Sequence, residues 1–269
     1  MNAVRIINER PLLREVAQGS RWLEKDGFPF NELLADEAVR WLEYAQSKDQ
    51  FDRFLPRLKD VHAKRDEAFA EIQAAYFVEV INGYWINEWE PIGAQQKRGE
   101  FSFLSPNGAV VFCEVKSPGW EADIVRVEGP KAQRLSDPKH INGGRRSFGN
   151  WRYVRGAVKK AYEKFPQNTL TLLIIVDDFI VQLSDDVRLT QIALYRPKAE
   201  GQHNGYLAED GCFVGTQYEN LGAIAALNVV CAGNIDYRFS LYHNPNARPA
   251  VRIPERTFPK YPQYFKSQL

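Results

Sequence analysis

The sequence predicts an α/β fold: a helix, three mixed or antiparallel strands, a second helix and a fourth strand, with a helical extension in front and an α/β extension behind. Three observations carry that expectation. Apolar residues recur at helical spacing over residues 1–82, and the period changes to two from Tyr84 onward. The run TLTLLIIV at 169–176 is apolar enough for a strand covered on both faces. Between these segments, Trp151, Val154, Val158, Ala161, Tyr162 and Phe165 fall on one helical stripe.

Each element has its own local reason. Leu12, Leu13, Val16, Trp22 and Leu23 form one early stripe; Leu33, Leu34, Val39, Trp41 and Leu42 form another, with Gly27 and Pro29 between them. Pro56 suits the first turn of a long third helix that runs through Val61, Ala68, Ile72, Ala75, Tyr76 and Val80 and stops at Asn82-Gly83. Strands are expected at 84–92, 100–104 and 109–115, the last two joined by the turn Ser105-Pro106-Asn107-Gly108. A loop rich in Gly, Pro and basic residues spans 117–150, and Pro166 closes the helix that follows it. Further on, a helix or strand is expected at 187–195, a helix within 218–230 and a strand at 237–242. The tail from Asn244 carries Pro245, Pro249, Pro254, Pro259 and Pro262 and reads as an extended surface segment. The expected division is 1–55 as the helical extension, 56–243 as the α/β domain and 244–269 as a proline-rich tail.

Composition excludes several classes. With 269 residues, 44% hydrophobic and 26% charged, the chain has ample apolar surface for a core and does not read as disordered. Three widely spaced cysteines without a CxxC argue against a disulfide framework or a thiolate zinc site. There is no long apolar run and no signal-like apolar stretch at the start, so the expectation is a cytoplasmic protein without a membrane span. The net charge is only +1, yet residues 126–164 hold eleven positive residues against three acidic ones, a local +8. Such a segment either grips a polyanion or forms a solvated face paired with acidic residues from elsewhere.

Chemistry concentrates on the strand around Glu114. Strand alternation puts Glu114 and Lys116 on one face and Cys113 and Val115 on the other. On the preceding strand Phe101 and Phe103 point into the core while Glu100 and Ser102 point away, so hairpin pairing brings Glu100 towards Glu114. Two carboxylates beside a lysine suit a hard divalent cation held by oxygen. Such an ion activates water and stabilises charge on a phosphoryl oxygen, with Lys116 supporting the nucleophile and transition state. The bland alternative is a surface ion pair worth roughly 0–1 kcal/mol. An acid-x-Lys triplet recurs at Asp137-Pro138-Lys139, but the first instance ends an apolar strand and follows an acidic residue fourteen positions earlier.

These motifs resemble the PD-(D/E)XK nuclease superfamily, whose restriction-endonuclease-like core is helix, three strands, helix, strand. The likeness covers residues from about 60 to 180, with Glu100 in RGEFSF and Glu114 and Lys116 in VVFCEVKSPGW at the signature positions. It implies Mg²⁺ or Mn²⁺ held by Glu100 and Glu114. It also implies an acidic residue on the first helix, best matched by Glu71 with Glu67 and Glu79 as neighbours, and a basic residue on the second helix, Lys159 and then Arg155. Glu100 stands where the family usually has aspartate, one methylene shorter. The implied activity is metal-dependent hydrolysis of phosphodiester bonds in nucleic acid, DNA favoured, with Arg145, Arg146, Arg152, Arg155 and Lys159 on the phosphates. The alternative is a catalytically inactive nuclease-fold protein that binds nucleic acid or a protein partner through its basic surface.

Other features carry less. The strand ending in Asp177-Asp178 has no phosphate loop to accompany it, and neither GxSxG nor GxGxxG occurs. His62, His140, His203 and His243 lack ligand spacing, and His140 reads as a solvated loop residue. Trp120, Trp151 and Tyr153 lie among basic residues and could stack on bases, though Trp151 belongs to the apolar stripe of its helix.

Overall fold

The change of period at Tyr84 marks where helices give way to a sheet. The computed structural model describes residues 3–17, 32–60, 63–117, 150–176, 187–197, 210–231 and 233–266. His62, Trp120, His140, Arg145, Arg146, Asp177, Asp178 and His203 lie outside them, as do the side chains of Trp151, Arg152 and Tyr153. Contacts divide the chain into two compact units: 1–76 with 119–143 and 229–236, and 77–118 with 144–228 and 237–269.

The first unit carries the helices α1 (Ala3–Asn8), α2 (Pro11–Ala17), α3 (Glu32–Ser47), α4 (Phe51–Leu58) and α5 (Ala63–Tyr76). Leu13, Val16, Leu34, Trp41, Leu42 and Phe54 are buried, as helical spacing requires, whereas Leu33 stays exposed. Pro56 does not open a helix. It sits inside α4, whose Phe51, Phe54 and Leu58 are buried along one stripe, and the chain restarts as α5 at Ala63. Burial of that stripe outweighs the amide that proline lacks. Among the described residues no helix is long and apolar enough to cross a membrane.

A π-turn (Phe77–Ile81) opens the second unit and leads into the sheet. Its strands are β1 (Trp85–Trp89), β2 (Phe101–Leu104), β3 (Val110–Lys116), β4 (Leu170–Val176), β5 (Ala223–Cys231), β6 (Ile235–His243) and β7 (Gln263–Tyr264), arranged in chain order. β1, β2 and β3 are antiparallel neighbours, while β4 is parallel to both β3 and β5. The fold is therefore mixed α/β with a seven-stranded mixed sheet. Gly108, at φ +78°, makes the β2–β3 turn possible, and its amide donates to the Ser105 carbonyl at 2.8 Å. Helix α6 (Asn150–Tyr162) lies in the crossover from β3 to β4 and packs against both strands and against α7 (Val187–Tyr195), so the ambiguous 187–195 segment is a helix.

Three expectations change. Residues 223–231 form a strand and not a helix: the alanines favour a helix, but parallel pairing beside β4 buries Ala223, Ile224, Ala225, Ala226 and Leu227 on both faces. The tail does not lie on the surface. Val251, Ile253 and Phe258 are buried between its prolines, and Phe258 joins Phe77, Tyr84, Phe103 and Phe239 in an aromatic cluster, 4.7 Å from Phe239 between centroids. Ser102 is buried instead of pointing away from the core, because the face it shares with Phe112 is covered as well.

That covered face is closely fitted. Phe165, just beyond α6, meets the Phe112 ring edge-on at 6.0 Å. A Cβ on Gly93 would stand 2.1 Å from the Lys164 carbonyl and 2.8 Å from Phe112, and one on Gly99 would stand 2.4 Å from Phe112. Only glycine lets the 93–99 loop close on β3. Gly93→Ala and Gly99→Ala should each destabilise the protein by about 1–3 kcal/mol through overpacking. Urea unfolding checks this: the midpoint falls and the slope stays the same.

Candidate functional site

Ladder register assembles the site. Phe101 pairs with Cys113 and Ser102 with Phe112, so one step back along β2 faces Glu100 towards Glu114, and the Glu100 amide donates to the Cys113 carbonyl at 3.0 Å. Alternation along β3 leaves Phe112, Glu114 and Lys116 on the covered face, and Glu114 is 0% exposed. Its Oε1 accepts the ammonium groups of Lys116 and of Lys164, the latter at 2.6 Å. Lys164 Nζ also lies 3.6 Å from the Glu100 carboxylate. The second oxygen, Glu114 Oε2, is buried and has no hydrogen-bond partner.

The backbone fixes Lys164. Its carbonyl accepts the Ala94 amide at 2.9 Å and its amide donates to Ala161 at 3.0 Å, so the residue is held between the 93–99 loop and the end of α6. The side chains of Glu100, Lys116 and Lys164 are partly exposed, at 14%, 25% and 24%, which opens the site on one side while Glu114 forms its floor.

Electrostatics follow from that burial. Desolvation pushes the Glu114 carboxyl above its ordinary 4.5; Lys116 and Lys164 pull it down and Glu100 adds to the rise. Burial alone would lower Lys164, but the carboxylates of Glu114 and Glu100 leave it above its ordinary 10.5. Both shifts are upward, so both contributions to stability weaken as pH rises: that of Glu114 from about 4.5, that of Lys164 from about 10.5. The Cys113 thiol on the opposite face is fully buried, and burial together with Glu114 pushes it well above its ordinary value, which makes it an inert core residue.

An unsatisfied buried carboxylate oxygen beside a second carboxylate is the donor chemistry a hard divalent cation takes, so Glu114 and Glu100 fit such an ion. Two lysines already neutralise the pair, and an incoming cation competes with their charge. Among the described residues no group of three or more His, Cys, Asp or Glu side chains is arranged to hold a metal.

The structure brings Glu100, Glu114 and Lys116 together. Glu71 sits in the first unit, buried on α5, its carboxylate held by two hydrogen bonds from Arg57 at 2.8 and 2.5 Å and by Arg53 at 3.5 Å. Glu67 is exposed and Glu79 is half-buried in the π-turn. Arg155 and Lys159 line a different cavity of about 740 Å³, whose walls include none of Glu100, Glu114, Lys116 or Lys164. His243 is buried, with Nε2 2.8 Å from Gln263 Oε1 and its ring stacked on Phe265. Sequence reasoning missed Lys164, counting it only within the basic stretch. The usable signal is its neighbour: Phe165 anchors on Phe112, two residues before Glu114, and carries Lys164 with it.

No protein-family model matches the chain. Among solved structures, Pyrococcus furiosus SfsA in complex with Ca²⁺ is similar at 14% identity and a TM-score of 0.23, over 64% of this chain and 60% of that one. That likeness is too loose to bear on the fold or the site, which stand on their own geometry.

A carbon-13 carboxyl titration of labelled glutamates tests the electrostatics. Glu114 should titrate above 4.5, and Lys164→Met, which removes a cation that lowers it, should move it higher still.

Proposed function

We propose that the protein is a metal-dependent nuclease in which Glu114 and Glu100 hold a divalent cation, Mg²⁺ or Mn²⁺, and Lys116 supports the nucleophile. The observation that carries this reading is the Glu114 carboxylate, buried on the middle of a sheet face with one oxygen unsatisfied and Glu100 beside it. The order along the chain of a helix, three antiparallel strands, a helix and a parallel strand supports the PD-(D/E)XK reading. The bound ion would supply positive charge for a phosphoryl oxygen. Lys116, partly exposed beside Glu114, would orient the attacking water and stabilise the negative charge that develops on the phosphate. Lys164 compensates the charge of the carboxylate pair when no ion is bound. DNA is the favoured substrate. Glu71 is the proposed helix acid, and Arg145, Arg146, Arg152, Arg155 and Lys159 are the proposed phosphate contacts.

A specific observation favours a second reading. Glu100 and Glu114 are both within reach of lysine, and no third acid completes a metal group among the described residues. A nuclease fold that binds without cutting would have that composition.

A panel of duplex DNA, single-stranded DNA and RNA, incubated with Mg²⁺ or Mn²⁺, separates the two. The first reading expects cleavage that chelator abolishes and that Glu114→Ala or Lys116→Ala lowers at least about a hundredfold, with circular dichroism unchanged. Salt-sensitive binding that ignores chelator, with no cleavage of any substrate, would replace it with the second. Calorimetry adds an independent check: Lys164→Met should bind Mn²⁺ about tenfold or more tightly than wild type, because the ion no longer competes with the ammonium.

A further inference from the structure

The cavity beside α6 is distinct from the carboxylate site and brings two basic residues and two tyrosines to its walls. One wall is α6 itself, with Arg155, Gly156, Lys159 and Tyr162; the facing wall runs over 210–218 and includes Val214, Gln217 and Tyr218. Its volume of about 740 Å³ is that of an ordinary small-molecule site.

Of the two acidic residues in the walls, Glu163 is paired with Lys97, while the main-chain carbonyl of Asp210 accepts the Arg155 guanidinium and holds it at the cavity. Two further donors stand beside it. Lys159 is exposed and has no acidic partner among the described residues. The Tyr162 hydroxyl accepts the Asn220 amide at 3.4 Å and has its own proton to give. Next to these donors, Tyr162 and Tyr218 form an edge-to-face pair at 5.0 Å and bring aromatic surface to the cavity wall.

Gly156 is the second observation. It occupies the middle of a thirteen-residue helix, where glycine is the poorest choice after proline, yet a Cβ there would meet nothing within 4 Å. Among the described residues neither backbone geometry nor packing calls for glycine at this position, whereas an occupant lying close against the helix would.

We infer that this cavity binds one nucleotide, its phosphate on Lys159 and Arg155 and its base beside Tyr218 over Gly156. Phosphate matches the donors, and a planar ring matches the tyrosines and the bare helix surface. The nucleotide is either free or one residue of a strand. In the second case the inference deepens the nucleic-acid reading above by assigning a pocket for a single unstacked base.

Calorimetry with AMP and UMP, and with a single-stranded dodecathymidylate, tests the inference without metal. Wild type should bind at least one of these probes. Lys159→Gln should weaken binding about tenfold, and Gly156→Leu should abolish it while leaving the melting temperature equal or higher. Binding of mononucleotides identifies a free nucleotide as sufficient; binding of the oligonucleotide alone identifies a strand. Absence of binding to every probe, or binding that neither variant changes, overturns the inference. Metal-dependent cleavage without such binding would leave the nuclease reading standing and remove this one, and binding without cleavage would do the reverse.

Discussion

The carboxylate of Glu114 is the constraint around which the second unit is arranged. A charged group at 0% exposure in a central strand costs several kcal/mol unless it is compensated. Compensation comes from two directions. Lys116 is local, two residues along the same strand, while Lys164 arrives from the far side of the crossover. The second is possible because Gly93 and Gly99 let a loop lie flat on Phe112 and because the Ala94 amide holds the Lys164 carbonyl. A small group of backbone contacts thus makes a buried charge tolerable, and one oxygen of that charge still lacks a partner. Groups left in that condition mark places where a protein exchanges stability for chemistry.

Much of this was legible in the sequence where the signal is local. The β2–β3 hairpin follows from Asn107-Gly108 and period-two alternation, and with it the approach of Glu100 to Glu114. The buried strand at 170–176 follows from its unbroken apolar run. What escaped depends on tertiary context. Residues 223–231 carry alanines that favour a helix, and only a neighbouring strand makes them extended. The prolines of the tail suggest an exposed segment, yet Val251, Ile253 and Phe258 find an aromatic cluster that no local pattern announces. Lys164 lies fifty positions from Glu114, and no spacing rule connects them.

Helix α6 serves two separate pieces of chemistry. Just past its C-terminal end, Lys164 closes the carboxylate site; along another face, Arg155, Gly156, Lys159 and Tyr162 form the wall of a cavity. The basic residues of the 126–164 stretch are therefore not one undifferentiated patch. Of those that are described, Lys164 compensates a buried acid, Arg155 donates to a backbone carbonyl and Lys159 stands in a cavity wall. A net charge near zero for the whole chain conceals this division of labour.

The separation in sequence between the site's charges has a kinetic meaning. Glu100 and Glu114 are joined by a short hairpin, a closure that takes microseconds, whereas Lys164 must wait for the long crossover that lays β4 beside β3. Local pairing thus brings together the two acids and Lys116, and the second compensating cation arrives only with the crossover. A chain interrupted between β3 and α6 would keep Glu100, Glu114 and Lys116 but lack Lys164, so the completed site reports on whether the crossover has closed.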